Sequence, residues 1–317
     1  MAEIGKSVET AAHLLEKGEL VAIPTETVYG LAANALNEKA VLEIFKVKNR
    51  PQFDPLIVHV ASMAKAKELA ETFPEKAEKL AATFWPGPLT LLVKKKSFIP
   101  DLVTSGLDTV AIRCPDHDLT RALLQALSFP LAAPSANPFG YISPTRPAHV
   151  NEQLGEKIKY ILDGGDCAVG IESTIIGFEN EVPMVYRLGG LNLEKIESVI
   201  GKVSVQLNSS SNPKAPGQLQ SHYAPTKKMK LGNINDLLRL YGTERVGVIT
   251  FQKHRENIDG DHQIILSPTG NLEEAAQKLF ASLRTLDKND IDMILAEEVP
   301  DVGLGKAIND RLRRAAF

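Results

Sequence analysis

KNRPQFDPLIVH, residues 48–59, sets the frame for the whole chain. Two cations, Lys48 and Arg50, stand two apart, and Pro51 and Pro55 stiffen the backbone around them. The apolar run 56–60 follows at once, carries His59 and reads as a buried strand. Upstream, residues 37–47 show a helical pattern with Ala40, Val41, Ile44 and Phe45 on one face. A helix therefore ends in a rigid basic loop that leads straight into a core strand. Proline fixes its own φ and restricts the residue before it, so 49–51 is expected to be extended. Cations held on such a loop suit a phosphate, a carboxylate or bicarbonate. Taken alone, the same residues also fit a solvated helix end, where Lys and Arg favour the last turn.

Working outward, polar residues gather where other strands end. The strand 20–23 runs into Pro24-Thr25-Glu26-Thr27-Val28-Tyr29-Gly30, with hydroxyls and a carboxylate just past it. In open α/β sheets ligands sit beyond the carboxyl ends of strands, although a capped turn would use the same residues. The strand 109–113 (TVAIR) ends in Arg113, placed to hold a carboxylate bidentately. The strand 130–134 enters a loop, 135–145, where Ser135, Asn137, Ser143 and Thr145 sit among prolines and a glycine. Such a loop offers neutral donors and acceptors at fixed positions. Residues 170–174 (GIEST) turn into another apolar strand, and the strand 184–188 carries Arg187 before Gly189-Gly190. Trp85 reads as a core wedge beside a proline turn, and Lys94, Lys95 and Lys96 as a solvated strand end.

With 317 residues the chain favours two domains. It is 44% hydrophobic and 24% charged with net charge −3, so no global field draws nucleic acid or membranes. Two cysteines are too few for a disulfide framework or a Cys-rich zinc site and fit a reducing, cytoplasmic compartment. The first residues have no secretory pattern, and no apolar run reaches the length of a membrane span.

Three segments follow from the pattern: an α/β domain over 1–200, a linker over 201–227, and a smaller α/β domain over 228–317. The linker is rich in Ser, Asn, Pro and Gln. Within it, APGQLQSHYAP (215–225) is unlike a spacer, because His222 and Tyr223 form a large polar-aromatic pair between prolines. That pair is expected to dock on a surface. The last segment alternates strand and helix, which predicts a small parallel sheet. It carries no phosphate-loop or dinucleotide motif in the right context and no evident catalytic constellation.

IPTETVYGLAANA, KVKNRPQFDPLIVHV, FWPGPLTLLV, TVAIRCP, PSANPFGYISPT, GIESTI and RLGG, in that order, resemble the Sua5/YrdC/TsaC family of threonylcarbamoyl-AMP synthases. The resemblance covers about residues 14–191, and APGQLQSHYAP followed by a second α/β domain is similar to the longer, two-domain Sua5 form. One departure is Asn49, where the family usually has Gly in a K-G-R-P run; Asn tolerates left-handed backbone better than most residues. The implied fold is a YrdC-like twisted open sheet with helices, followed by a smaller Rossmann-like domain. The implied reaction joins L-threonine and bicarbonate into an N-carboxy-threonine, which ATP adenylylates to threonylcarbamoyl-AMP and pyrophosphate. The product would pass to a separate transferase complex for the t6A37 modification of tRNA.

On that resemblance Lys48 and Arg50 hold phosphate and bicarbonate or carbamate oxygens. Arg113, Ser135 and Ser173 take the threonine carboxylate or carbamate, and Thr27 and His59 contact the threonine side chain or amine. Asn137, Ser143, Thr145 and Arg187 line the nucleotide side, with Thr109 and Asp54. His222 and Tyr223 fold back over the cleft near the nucleotide. Mg²⁺ is expected with ATP, held mainly by phosphates and water. Weak tRNA contact through Lys94–Lys96 and 227–230 is a secondary partner reading. A purely RNA-binding role lacks aromatic interleaving and a basic net charge. A different carbamoyl transfer, as in hydrogenase-maturation proteins, would call for Cys-rich and acylphosphatase-like regions that are absent from this sequence.

Overall fold

A computed structural model describes residues 1–207, 214–218 and 222–317. The expected linker over 201–227 therefore lies partly outside the described residues. The chain begins β1 (Glu3–Gly5), α1 (Val8–Glu16), β2 (Val21–Ile23), β3 (Gly30–Asn34), α2 (Glu38–Lys48) and β4 (Ile57–His59). It continues α3 (Met63–Leu69), α4 (Glu75–Phe84), β5 (Leu89–Lys94), α5 (Asp101–Thr104), β6 (Thr109–Arg113) and α6 (Asp118–Ala126). Next come β7 (Leu131–Ala132), α7 (Pro147–Leu154), β8 (Tyr160–Leu162), β9 (Thr174–Glu179), β10 (Val182–Arg187), α8 (Leu193–Ile200) and β11 (Ser204–Val205). The second body holds β12 (Lys228–Leu231), α9 (Ile234–Tyr241), β13 (Val246–Thr250), β14 (Gln263–Ile265), α10 (Leu272–Lys288), β15 (Met293–Ala296) and α11 (Gly305–Ala315).

Capping chemistry sets several of these boundaries. Ser7 accepts the Thr10 amide at the start of α1, and Asn37 accepts the Lys39 and Ala40 amides at the start of α2. Helix α2 ends at Asn49, which adopts φ 52 and ψ 38 and returns its amide to the carbonyls of Phe45 and Lys46. The expectation of extended backbone at 49 is thus corrected: a left-handed C-cap ends the helix there, and Asn accepts that conformation. Pro74 is the N-cap of α4 and His117 that of α6.

The larger sheet runs β1-β8-β2-β3-β7-β4-β6-β5-β9-β10-β11, with parallel and antiparallel pairs mixed. Strand β3 was not expected, because its Ala-rich sequence has little strand preference; pairing with β2 and β7 makes it one. Strand β11 pairs with β10, so the first residues of the expected linker add an edge strand to this sheet. The second sheet is entirely parallel, in the order β12-β15-β13-β14.

Register places the polar strand ends together. Strands β4 and β6 run parallel with His59 opposite Arg113. Strands β2 and β3 pair antiparallel with Ile23 opposite Gly30, so residues 24–29 form the loop between them. Gly30 bridges to Ser135, which brings in the loop after β7. Strands β5 and β9 are parallel with Leu89 opposite Thr174, and a bulge in β10 precedes Arg187, which faces Ile175. Trp85 is half-buried against the core and donates Nε1–H to the Leu89 carbonyl at 2.7 Å. Lys94 and Lys96 are exposed, while Lys95 pairs with Asp101.

Candidate active site

At these strand ends lies a cavity of about 50 Å³. Arg50, His59, Arg113, Ser135, Glu172, Arg187, His222 and Tyr223 are among its walls. Three guanidiniums thus meet there, from the loop after α2, the end of β6 and the end of β10.

Each guanidinium is aimed by the backbone around it. Arg50 donates to the carbonyls of Asp54 (3.0 Å) and Pro55 (2.8 Å) and pairs with the Asp54 carboxylate at 2.9 Å. Both side chains are almost fully buried; burial raises the Asp54 pKa, with Arg50 working against it. Asp54 therefore orients Arg50 from behind rather than lining the cavity. Arg113 donates to the Thr27 hydroxyl at 2.8 Å and pairs with Glu26 at 2.7 Å. The Thr25 hydroxyl accepts the Thr27 and Val28 amides, so the loop holding Thr27 is fixed internally. Arg187 donates to the Ser173 carbonyl and hydroxyl, both at 3.0 Å, and Ser173 also touches the Thr90 hydroxyl at 2.7 Å.

Lys48 is buried and is not on the cavity wall itself. Its ammonium donates to the carbonyls of Ser135 (2.6 Å) and Asn137, tying α2 to the wall loop. Burial, then the neighbouring Arg50, pushes its pKa well below the usual lysine value. Among the described residues it donates to no carboxylate. An incoming anion would reverse much of that shift.

His59 is a neutral imidazole: burial, then the Arg113 charge, lowers its pKa to about 3. Its Nδ1 has no hydrogen-bond partner among the described residues, and neither do His222 Nδ1 and the Tyr223 hydroxyl. Buried polar atoms are normally paired, so a group of orphans around one cavity is the expected signature of a ligand site.

The strap over the cavity runs through Pro216, Gly217, His222 and Tyr223. Arg187 donates to the Pro216 carbonyl and Arg314 to that of Gly217, and the Ala224 amide bonds the Gly140 carbonyl. Tyr223 adopts φ 67, a conformation rare outside glycine, and its ring packs on His222 and Phe280.

Two expected residues do not join the others. Thr109 starts β6, whereas Arg113 ends it, and Thr109 lines a separate groove with Phe73, Lys94 and Tyr186. Thr145 packs against His149 and lines a groove shared with α10 of the second body. Ser143 is one step back: its hydroxyl donates to Glu172 at 2.5 Å. Asn137 lies behind the wall, donating its amide to the carbonyls of Pro138 and Tyr141. Sequence reasoning assigned no role to Glu26 or Glu172, and it missed Arg311 and Arg314 altogether. The last two sit in a basic helix end that reads as solvated, so no local signal marked them.

The fold and the site define a class: an open α/β sheet whose strand ends bring three fixed guanidiniums to one cavity. Comparison with known proteins gives the family. Residues 13–189 match the Sua5/YciO/YrdC family, described as Telomere recombination, and residues 191–317 match the threonylcarbamoyl-AMP synthase C-terminal domain. A threonylcarbamoyl-AMP synthase of Pyrococcus abyssi is 44% identical, over 98% of this chain and 94% of its own. One of Bacillus subtilis is 42% identical, over 98% and 92%. The crystal structure of P. abyssi Sua5 complexed with L-threonine has a TM-score of 0.91 at 42% identity, covering 99% of this chain and 97% of that one. This chain belongs to the Sua5/YrdC family, in its two-domain form.

Proposed function

We propose that this enzyme makes threonylcarbamoyl-AMP, the product named for its relatives, together with pyrophosphate, from L-threonine, bicarbonate and ATP. The observation that carries the reading is the convergence of Arg50, Arg113 and Arg187 on one cavity around the neutral His59. The reaction must bring a triphosphate, a carboxylate and bicarbonate together, which calls for several fixed cations and no enzyme nucleophile.

In the first stage the threonine amine attacks bicarbonate carbon, and water leaves as the N-carboxy group forms. Arg113, with Ser135 and Ser173, holds the threonine carboxylate or the new carbamate. His59 offers an unpaired Nδ1 to the amine or the hydroxyl. In the second stage a carbamate oxygen attacks the α-phosphorus of ATP and pyrophosphate leaves in line. Arg50 and Lys48 serve the oxyanions, and Arg187 stands on the nucleotide side with Asn137, His222 and Tyr223. Mg²⁺ would enter with ATP. Among the described residues no three His, Cys, Asp or Glu side chains converge to hold a metal, so phosphates and water would supply its ligands.

Pro216, Gly217, His222 and Tyr223 line the cavity, and a strap that lifts for substrates and returns would exclude water from the labile carbamate. We place the enzyme in the cytoplasm, handing its product to a t6A transferase complex, with any tRNA contact weak. No helix of the described residues is long and apolar enough to cross a membrane.

The test is pyrophosphate release measured with ATP, L-threonine and bicarbonate together and with each omitted. Release that requires all three, and that serine does not replace, is the expected result. Release from ATP alone, or salt-dependent tRNA binding without any release, would defeat the reading.

A further inference from the structure

We propose that Arg311, on the last helix of the chain, is a positioning residue of the cleft, fixing Glu172 and Tyr223 where they face the nucleotide. This rests on the synthase reading above and gives the second body a task within it. Arg311 is fully buried. Its Nε donates to Glu172 at 2.9 Å, its Nη2 to the Leu188 carbonyl at 2.8 Å, and its Nη1 to Asp310 at 2.7 Å. Its guanidinium carbon lies 5.0 Å from the centre of the Tyr223 ring. One side chain thus ties together a wall residue, the segment after β10 and the strap.

Glu172 and Tyr223 both line the cavity. A bare carboxylate at Glu172 would repel a triphosphate. The Arg311 pair cancels that charge, and the Ser143 hydroxyl fixes the other carboxylate oxygen. Tyr223 holds a left-handed φ that a non-glycine residue keeps only when its surroundings impose it. Arg311 and Arg314 against its ring, with Phe280 alongside, are that imposition. A second buried arginine of this body behaves alike: Arg284 donates to the carbonyls of Ile142 and Ser143 and lies 5.0 Å from the Tyr141 ring centre. A buried ion pair is weak evidence for stability, since apolar replacements often do as well. Arrangement of the cleft is the better account of this one.

Arg311→Lys keeps a cation but loses the planar fork. It is expected to raise KM for ATP roughly ten- to a hundredfold, with KM for threonine unchanged. The double variant Glu172→Gln/Arg311→Met removes both charges of the pair and leaves Asp310 to Arg314, 3.6 Å away, so it should melt cooperatively even if the single variant does not, and should keep the ATP defect. Wild-type KM for ATP in either folded variant overturns the proposal, and so does an equal rise in both KM values. Failure of the unaltered enzyme to make the adenylate would instead contradict the synthase reading, and it is seen before any variant is compared.

Discussion

At the scale of single residues the cleft depends on groups whose charge is set by burial. Lys48 and Arg50 are held by carbonyls before any substrate arrives. A hydrogen bond to a charged group contributes about 1.5–3 kcal/mol. Lys48→Ala and Arg50→Ala should therefore each lower kcat/KM for ATP at least about tenfold, measured by pyrophosphate release; normal release in either would remove that residue from the site. His59 gives a pH prediction. Its folded pKa of about 3 lies below the ordinary 6.5, so between these values the unfolded chain binds a proton that the folded one does not. Its contribution is whole above pH 6.5 and is lost as pH falls towards 3, at about 1.4 kcal/mol per pH unit. Denaturant melts at pH 7 and pH 5 should show wild type losing about 2 kcal/mol more than His59→Gln. The polar residues at strand ends were legible in the sequence because loop composition and strand ends leave local marks. That Thr109 and Thr145 line other grooves was not legible, because it depends on strand direction and on the second body.

At the scale of elements, two backbone positions hold left-handed φ values, one at the end of α2 and one in the strap. Asn49 closes α2 at φ 52. Asn49→Gly should leave stability unchanged, whereas Asn49→Ala should cost about 1 kcal/mol in a denaturant melt. In the strap, Gly217 sits at φ +79, and a Cβ there would stand 3.3 Å from both Arg187 and the Tyr223 hydroxyl. Gly217→Ala should strain the closed strap by about 1–2 kcal/mol, raising KM for ATP several-fold while the melting transition stays in place. An unchanged KM would mean that the strap does not close over nucleotide. Helix α2, the basic loop and β4 could be read directly from periodicity and proline. Strand β3 could not, because alanines carry no strand signal and only its neighbours make it one.

At the scale of the whole molecule the second body backs the cavity without lining it: Arg311 reaches Glu172 and the Tyr223 ring, and Arg314 the Gly217 carbonyl. Helix α10 crosses so close to Gly170, at φ +79, that a Cβ there would lie 2.4 Å from the Gln277 backbone. The small parallel sheet was visible as a strand–helix rhythm, but the contact between the bodies was not. Its residues, Arg284, Arg311 and Arg314, lie on amphipathic helices where arginine ordinarily faces water. Only the packed structure separates a buried arginine from a solvated one. The central claim is that this cleft joins threonine and bicarbonate and transfers AMP to the product. The most direct test is mass spectrometry of the nucleotide product formed from ATP, L-threonine and ¹³C-bicarbonate. The account predicts an adenylate that carries threonine and gains the mass of one ¹³C. An adenylate of threonine without the label, or no threonine-containing nucleotide at all, would contradict it.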